Sequence, residues 1–167
     1  MNAPSPFRPA MAGSTALLVG LALAAGTALA QEPDWTATPS YGSHHLSAGF
    51  TPDPWSQSLQ AGGSTEVNGK LGPNCTGYIM ADAPDLDLHY TAGSMPLYIT
   101  VESSADTTLV INAPDGRWYC NDDFIGLNPL VMFQNPPSGM YNIWVGVHGS
   151  NQMQPATLKI TELNPTH

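Results

Sequence analysis

The sequence predicts an all-β fold, an antiparallel β-sandwich, and three observations carry that expectation. Apolar residues alternate with period two in short runs, turn residues recur about every ten positions, and no stretch between the turns holds the 3.6-residue period of an ordinary helix. The 167-residue chain has 16 Gly, 16 Pro and only 10% charged residues, which implies frequent turns and excludes a long helical bundle. Antiparallel strands without βαβ units must bury one face of each sheet against a second sheet.

The clearest runs align Leu86, Leu88 and Tyr90 on one face, then Leu97, Ile99 and Val101, then Leu109 and Ile111. Further on, Tyr141, Ile143, Val145 and Val147 alternate with Asn142, Trp144, Gly146 and His148, and Ala156, Leu158 and Ile160 alternate with Thr157, Lys159 and Thr161. Shorter candidates cover 56–59, 64–67, 77–80, 117–120 and 130–134, giving about eight to ten strands. The sequences Ala92-Gly93-Ser94, Ala113-Pro114-Asp115-Gly116 and Pro136-Pro137-Ser138-Gly139 place Pro and Gly where turns need fixed or positive φ. Residues 31–54 mix Pro, Ser, Thr and Gly around isolated aromatics and predict an extended or irregular N-terminal arm, with the sandwich over 55–167.

Residues 1–30 predict a secretory signal peptide. The run from Ala16 to Ala30 is apolar, follows a segment carrying Arg8, and ends in Ala28-Leu29-Ala30, the small-x-small pattern of a cleavage site. It falls short of the roughly 20 residues of a bilayer span. The product is expected to be secreted or periplasmic, with no membrane span after cleavage. Export exposes Cys75 and Cys120 to an oxidising compartment, where they are expected to form a disulfide. The net charge of -9 repels a phosphate backbone, so nucleic acid is excluded as a partner.

Several landmarks between Gly77 and Gly149 occur in a characteristic order. They are Asp85-Leu86-Asp87-Leu88-His89-Tyr90 with its turn Thr91-Ala92-Gly93, the run from Thr108 to the Pro114-Asp115-Gly116 turn, the acidic Asn121-Asp122-Asp123, and Ser138-Gly139-Met140-Tyr141-Asn142-Ile143-Trp144-Val145. In this order they resemble the pre-peptidase C-terminal domain, a small jelly-roll β-sandwich that accompanies the catalytic domains of many secreted bacterial peptidases. The resemblance implies a jelly-roll-like sandwich and an accessory role; a serine-peptidase label on standalone relatives would come from association with their fused cousins.

Asp115, Asn121, Asp122 and Asp123 predict a Ca²⁺ site. Ca²⁺ takes six to eight oxygen ligands, and a hairpin joining Asp115 to Asn121-Asp122-Asp123 would gather carboxylate, amide and turn carbonyl oxygens. The competing reading is a solvated acidic turn in which Asp115 bonds backbone as an Asx-turn. Asp85 and Asp87 are expected on the wet side of their strand, with a second ion patch as the other reading.

No catalytic constellation is convincing. Gly62-Gly63-Ser64 lacks the last glycine of G-x-S-x-G, and Gly42-Ser43-His44-His45 lies in the arm. Adjacent imidazoles on an extended chain point to opposite faces, so His44 and His45 do not chelate together. Trp118 and Trp144 could form an exposed aromatic platform for a ligand such as a polysaccharide, against the commoner use of such rings as core. The sequence therefore favours a secreted, Ca²⁺-stabilised, non-catalytic module presenting a surface to a protein or polysaccharide. The alternative is a secreted serine-peptidase-like hydrolase or an accessory domain of one.

Overall fold

The computed structural model describes Met1 and residues 32–165, and Gln31–His167 forms one compact unit. The expected signal peptide therefore lies, apart from Met1, outside the described residues. Eleven strands are present among them: β1 (Ser43–Ser47), β2 (Trp55–Ala61), β3 (Thr65–Glu66), β4 (Tyr78–Ile79), β5 (Leu86–Thr91), β6 (Leu97–Glu102), β7 (Thr107–Asn112), β8 (Trp118–Asn121), β9 (Leu130–Phe133), β10 (Gly139–Val147) and β11 (Gln154–Thr161). They form two sheets, a seven-stranded one ordered β1-β5-β10-β4-β3 with β7 and β8 on the other side of β10, and a four-stranded one ordered β2-β11-β6-β9. The fold is thus the all-β sandwich that the alternation predicts. One strand corrects the reading of the N-terminal arm: β1 pairs in parallel with β5, His45 opposite His89.

The period-two alternation decides the main core. Leu86, Leu88, Tyr90, Tyr141, Ile143 and Val145 of the first sheet meet Ile99, Val101, Leu158 and Ile160 of the second, all buried. Each fully buried aliphatic side chain contributes about 1.5–3 kcal/mol. At one end, buried Glu162 locks the sheets together: the Tyr90 hydroxyl donates to its Oε1 at 2.5 Å and the Gly49 N–H donates to its Oε2 at 2.7 Å.

Much of the outer face of the seven-stranded sheet is not wet. Trp144 points away from the main core, as the alternation requires, yet it has no exposed surface, because Val67, Ile79 and Val110 enclose it in a second cluster flanked by Leu71, Trp118 and Cys120. Residues 67–75 reach this face by crossing from β2 to the other sheet at Gly62-Gly63. There a Cβ on Gly63 would lie 2.1 Å from the Ile79 backbone, so the crossing tolerates no side chain. The Cys75–Cys120 disulfide, with Cα atoms 4.9 Å apart, pins the covering segment to β8.

The arm covers a further part of that face, over Asp85, Asp87 and Asn142. The Asp34 N–H donates to the Ala81 carbonyl, and the Ser40 and Tyr41 N–H groups to Pro84 and Asp85. Asp85 and Asp87, expected on a wet face, are therefore buried. Asp85 accepts the Val145 N–H at 2.7 Å, and Asp87 accepts the Asn142 amide at 2.8 Å. Burial pushes the Asp85 carboxyl up to about 7 against that hydrogen bond.

Two outcomes follow for stability. Replacing both cysteines by alanine releases a 45-residue separation, worth up to about 4 kcal/mol in the chain-entropy treatment. Chemical denaturation should show the loss, with a red-shifted tryptophan emission as the cover over Trp144 loosens. Because the folded state binds the Asp85 proton more tightly than the unfolded chain, its stabilising contribution is complete below about pH 4 and is lost as pH rises towards about 7. Asp85→Asn keeps the acceptor for Val145 and should flatten this decline in denaturation curves taken across the same window.

Candidate functional site

The β7–β8 hairpin separates the oxygens expected to converge. Its turn carries Asp115, whereas Asn121 pairs with Leu109 at the far end of β8, three residues beyond the Asn112–Trp118 pair. That offset alone is about 10 Å of strand. Asp115 forms the Asx-turn: its Oδ1 accepts the Arg117 N–H at 3.0 Å and its Oδ2 accepts the Tyr119 hydroxyl at 2.7 Å. Partial burial raises its pKa, but the Tyr119 hydroxyl, the Arg117 N–H and the Arg117 charge outweigh it and hold the carboxyl below its ordinary value.

At the other end, Asn121 Oδ1 accepts the Leu130 N–H at 2.9 Å, so this amide shapes the loop leaving β8. Asp122 faces His148 instead of Asp115, and the His148 Nδ1 stands 3.5 Å from both Asp122 Oδ2 and Asp106 Oδ2. Asp123 is exposed. Among the described residues, no three His, Cys, Asp or Glu side chains are grouped to hold a metal ion.

Burial of Trp144 corrects the two-tryptophan platform. Trp118 is half-buried against it, with ring centroids 5.5 Å apart, and instead borders a groove of about 560 Å³ with Trp35, Asn112, Met140 and Asn142. The candidate hydrolase residues are used elsewhere: Gly62-Gly63 makes the strand crossing, and the His44 ring stacks on Trp55 at 4.3 Å.

The outstanding surface feature lies in the loop between β8 and β9, read in the sequence only for its acids. Phe124, Ile125 and Leu127 are exposed to 54%, 46% and 54% of their surface, although large apolar side chains are normally drawn inside. The backbone holds them in a tight hairpin. Ile125 and Asn128 exchange N–H···O bonds of 3.0 and 3.2 Å, and the Phe124 N–H also donates to the Asn128 carbonyl. Gly126, at φ +63°, occupies the first of the two central positions, as a type II′ turn demands.

The base of the hairpin is tied down on both sides. Asn128 Oδ1 accepts the Ser103 N–H, the Thr107 N–H donates to the Leu127 carbonyl, and the Thr100 hydroxyl donates to the Pro129 carbonyl at 2.7 Å. Ile125 also borders a groove of about 460 Å³ shared with Pro54, Val101, Lys159 and exposed Leu163, which extends the apolar surface sideways. The missed sequence signal was Phe-Ile-Gly-Leu between Asp-Asp and Asn-Pro, three large apolar residues in a turn too short to be a strand.

No protein-family model matches the chain, and no curated protein matches it. Among solved structures, it is similar to the crystal structure of Aeromonas hydrophila PliG, a periplasmic lysozyme inhibitor of g-type lysozyme. Sequence identity is 15%, the match covers 71% of this chain and 96% of that one, and the TM-score is 0.36. A likeness this thin carries no argument about function.

The turn gives a local test. Nothing lies within 4 Å of a Cβ added at Gly126, so Gly126→Ala probes backbone conformation alone. It should destabilise the hairpin by about 1–2 kcal/mol, seen as faster amide hydrogen exchange over 124–128.

Proposed function

We propose that this chain is an exported, non-catalytic protein-binding module whose hairpin at 124–128 inserts into an apolar cleft of a basic partner. The observation that carries the reading is the rigid display of Phe124, Ile125 and Leu127. Side chains held in place by a two-residue turn lose little freedom on docking, which is the condition for a small patch to act as an anchor. Asp122 and Asp123 precede the apolar tip, and the net charge of -9 would speed encounter with a basic surface. The disulfide agrees with an oxidising compartment. Calcium takes no part in this reading, because the expected ligands divide between the ends of β8.

A polysaccharide ligand is the second reading, favoured by the groove between Trp35 and Trp118. The exposed Trp35 ring, the half-buried Trp118 ring and the Asn112 amide are the kinds of group that stack on and hydrogen-bond to sugar rings.

The doubly substituted variant Phe124→Asp, Leu127→Asp distinguishes these readings. Both positions are exposed, so its melting temperature should stay close to that of the native chain. Affinity capture from extracts of the exported fraction, followed by titration of the recovered protein, should show binding weakened about tenfold or more. Equal capture by both forms would refute the docking hairpin. Retention on insoluble glycans lost in Trp35→Ala would instead support the second reading.

A further inference from the structure

The outer face of the seven-stranded sheet carries a second feature, independent of the hairpin. Strand register sets three residues at one level across neighbouring strands: His45 on β1 pairs with His89 on β5, which pairs with Met140 on β10. Their chain neighbours Leu46, Tyr90 and Tyr141 belong to the main core, so alternation turns the two histidines and the methionine outward together. The imidazoles lie face to face, ring centroids 4.4 Å apart and planes 8° from parallel. His45 is exposed and His89 half-buried, and the ring nitrogens make no hydrogen bond among the described residues.

We propose that His45 and His89 form a two-imidazole site for a divalent transition-metal ion, with copper the preferred occupant. Neutral imidazole is the commonest metal ligand in proteins, and it suits zinc, nickel and copper. Metal–nitrogen bonds of about 2.0–2.1 Å place two adjacent ligand nitrogens about 3 Å apart. In the stacked arrangement the nitrogen lone pairs lie in parallel planes, so the imidazoles would have to turn about their side-chain torsions to reach that spacing, while the parallel β1–β5 ladder holds their backbones side by side. The backbone pairing is what is pre-organised for a two-ligand site.

The surroundings favour a cation. Asp87, one alternate position along β5, is buried and interacts electrostatically with His89. Met140 pairs with His89 on its other side, and its thioether is a soft donor that suits copper more than zinc; water would complete the coordination. Copper also leads the affinity order of the divalent first-row ions. The ion would bridge β1, a strand at the edge of the sheet, to β5.

Titration of the untagged chain with Cu²⁺ alone, followed by calorimetry and electron paramagnetic resonance, should reveal one site whose spectrum carries the splitting of two imidazole nitrogens. His45→Gln and His89→Gln should each weaken it about tenfold or more, while His44→Gln and His148→Gln leave it unchanged. Melting curves without metal establish that each variant is folded, and Cu²⁺ should raise the melting temperature of the native chain but not of the first two variants. A site that persists in either of those variants, a one-nitrogen spectrum, or no binding would overturn the proposal.

Discussion

From Tyr141 to Val147 strand β10 is buried on both faces, and the rest of the structure depends on how each face is covered. Towards the four-stranded sheet, Tyr141, Ile143, Val145 and Val147 close the main core. Away from it, Trp144 and Asn142 need a roof, because a sheet face carrying an indole and buried carboxylates gains stability when its apolar surface is removed from water and its carboxylates find hydrogen-bond partners. The segment holding Val67 and Cys75 roofs Trp144, and the arm roofs Asn142, Asp85 and Asp87. The disulfide joins the first of these covers to β8, which fixes one end of the loop that leads to the exposed hairpin.

That arrangement divides the surface into parts of different character. The covered side spends its tryptophan on packing and leaves only a groove beside Trp118 and Trp35. The uncovered part of the same sheet, at β1 and β5, keeps its imidazoles in reach of solvent. The apolar hairpin projects beyond the end of β8, where no element among the described residues packs over it and where Asn121, Asn128 and Pro129 hold its base. A rigid apolar projection on an acidic protein is costly in water unless something binds it, and this asymmetry is what supports the docking role proposed for the hairpin.

Much of the fold was legible. Period two placed Leu86, Leu88, Tyr90, Ile99, Val101, Ile143 and Ile160 on core faces, and the two cysteines pair as export and their number imply. The candidate site was less legible. Asp115 and Asp122 lie seven positions apart in sequence, but a hairpin turns at one and opens at the other, so nearness along the chain became distance along a strand. Phe124, Ile125 and Leu127 were hidden by their acidic neighbours, since charge in a loop draws attention away from apolar residues that belong to no periodic run.

The sequence by itself determined the strand faces, the turns and the crosslink, because these follow from side-chain alternation, local φ preferences and cysteine count. Only the tertiary structure decided which outward faces meet water. Asp85, Asp87 and Trp144 all point away from the main core, as their positions require, and all are buried by segments distant in the chain. Alternation reports the direction of a side chain; what lies in that direction depends on the packing of residues far away, and no local pattern encodes it.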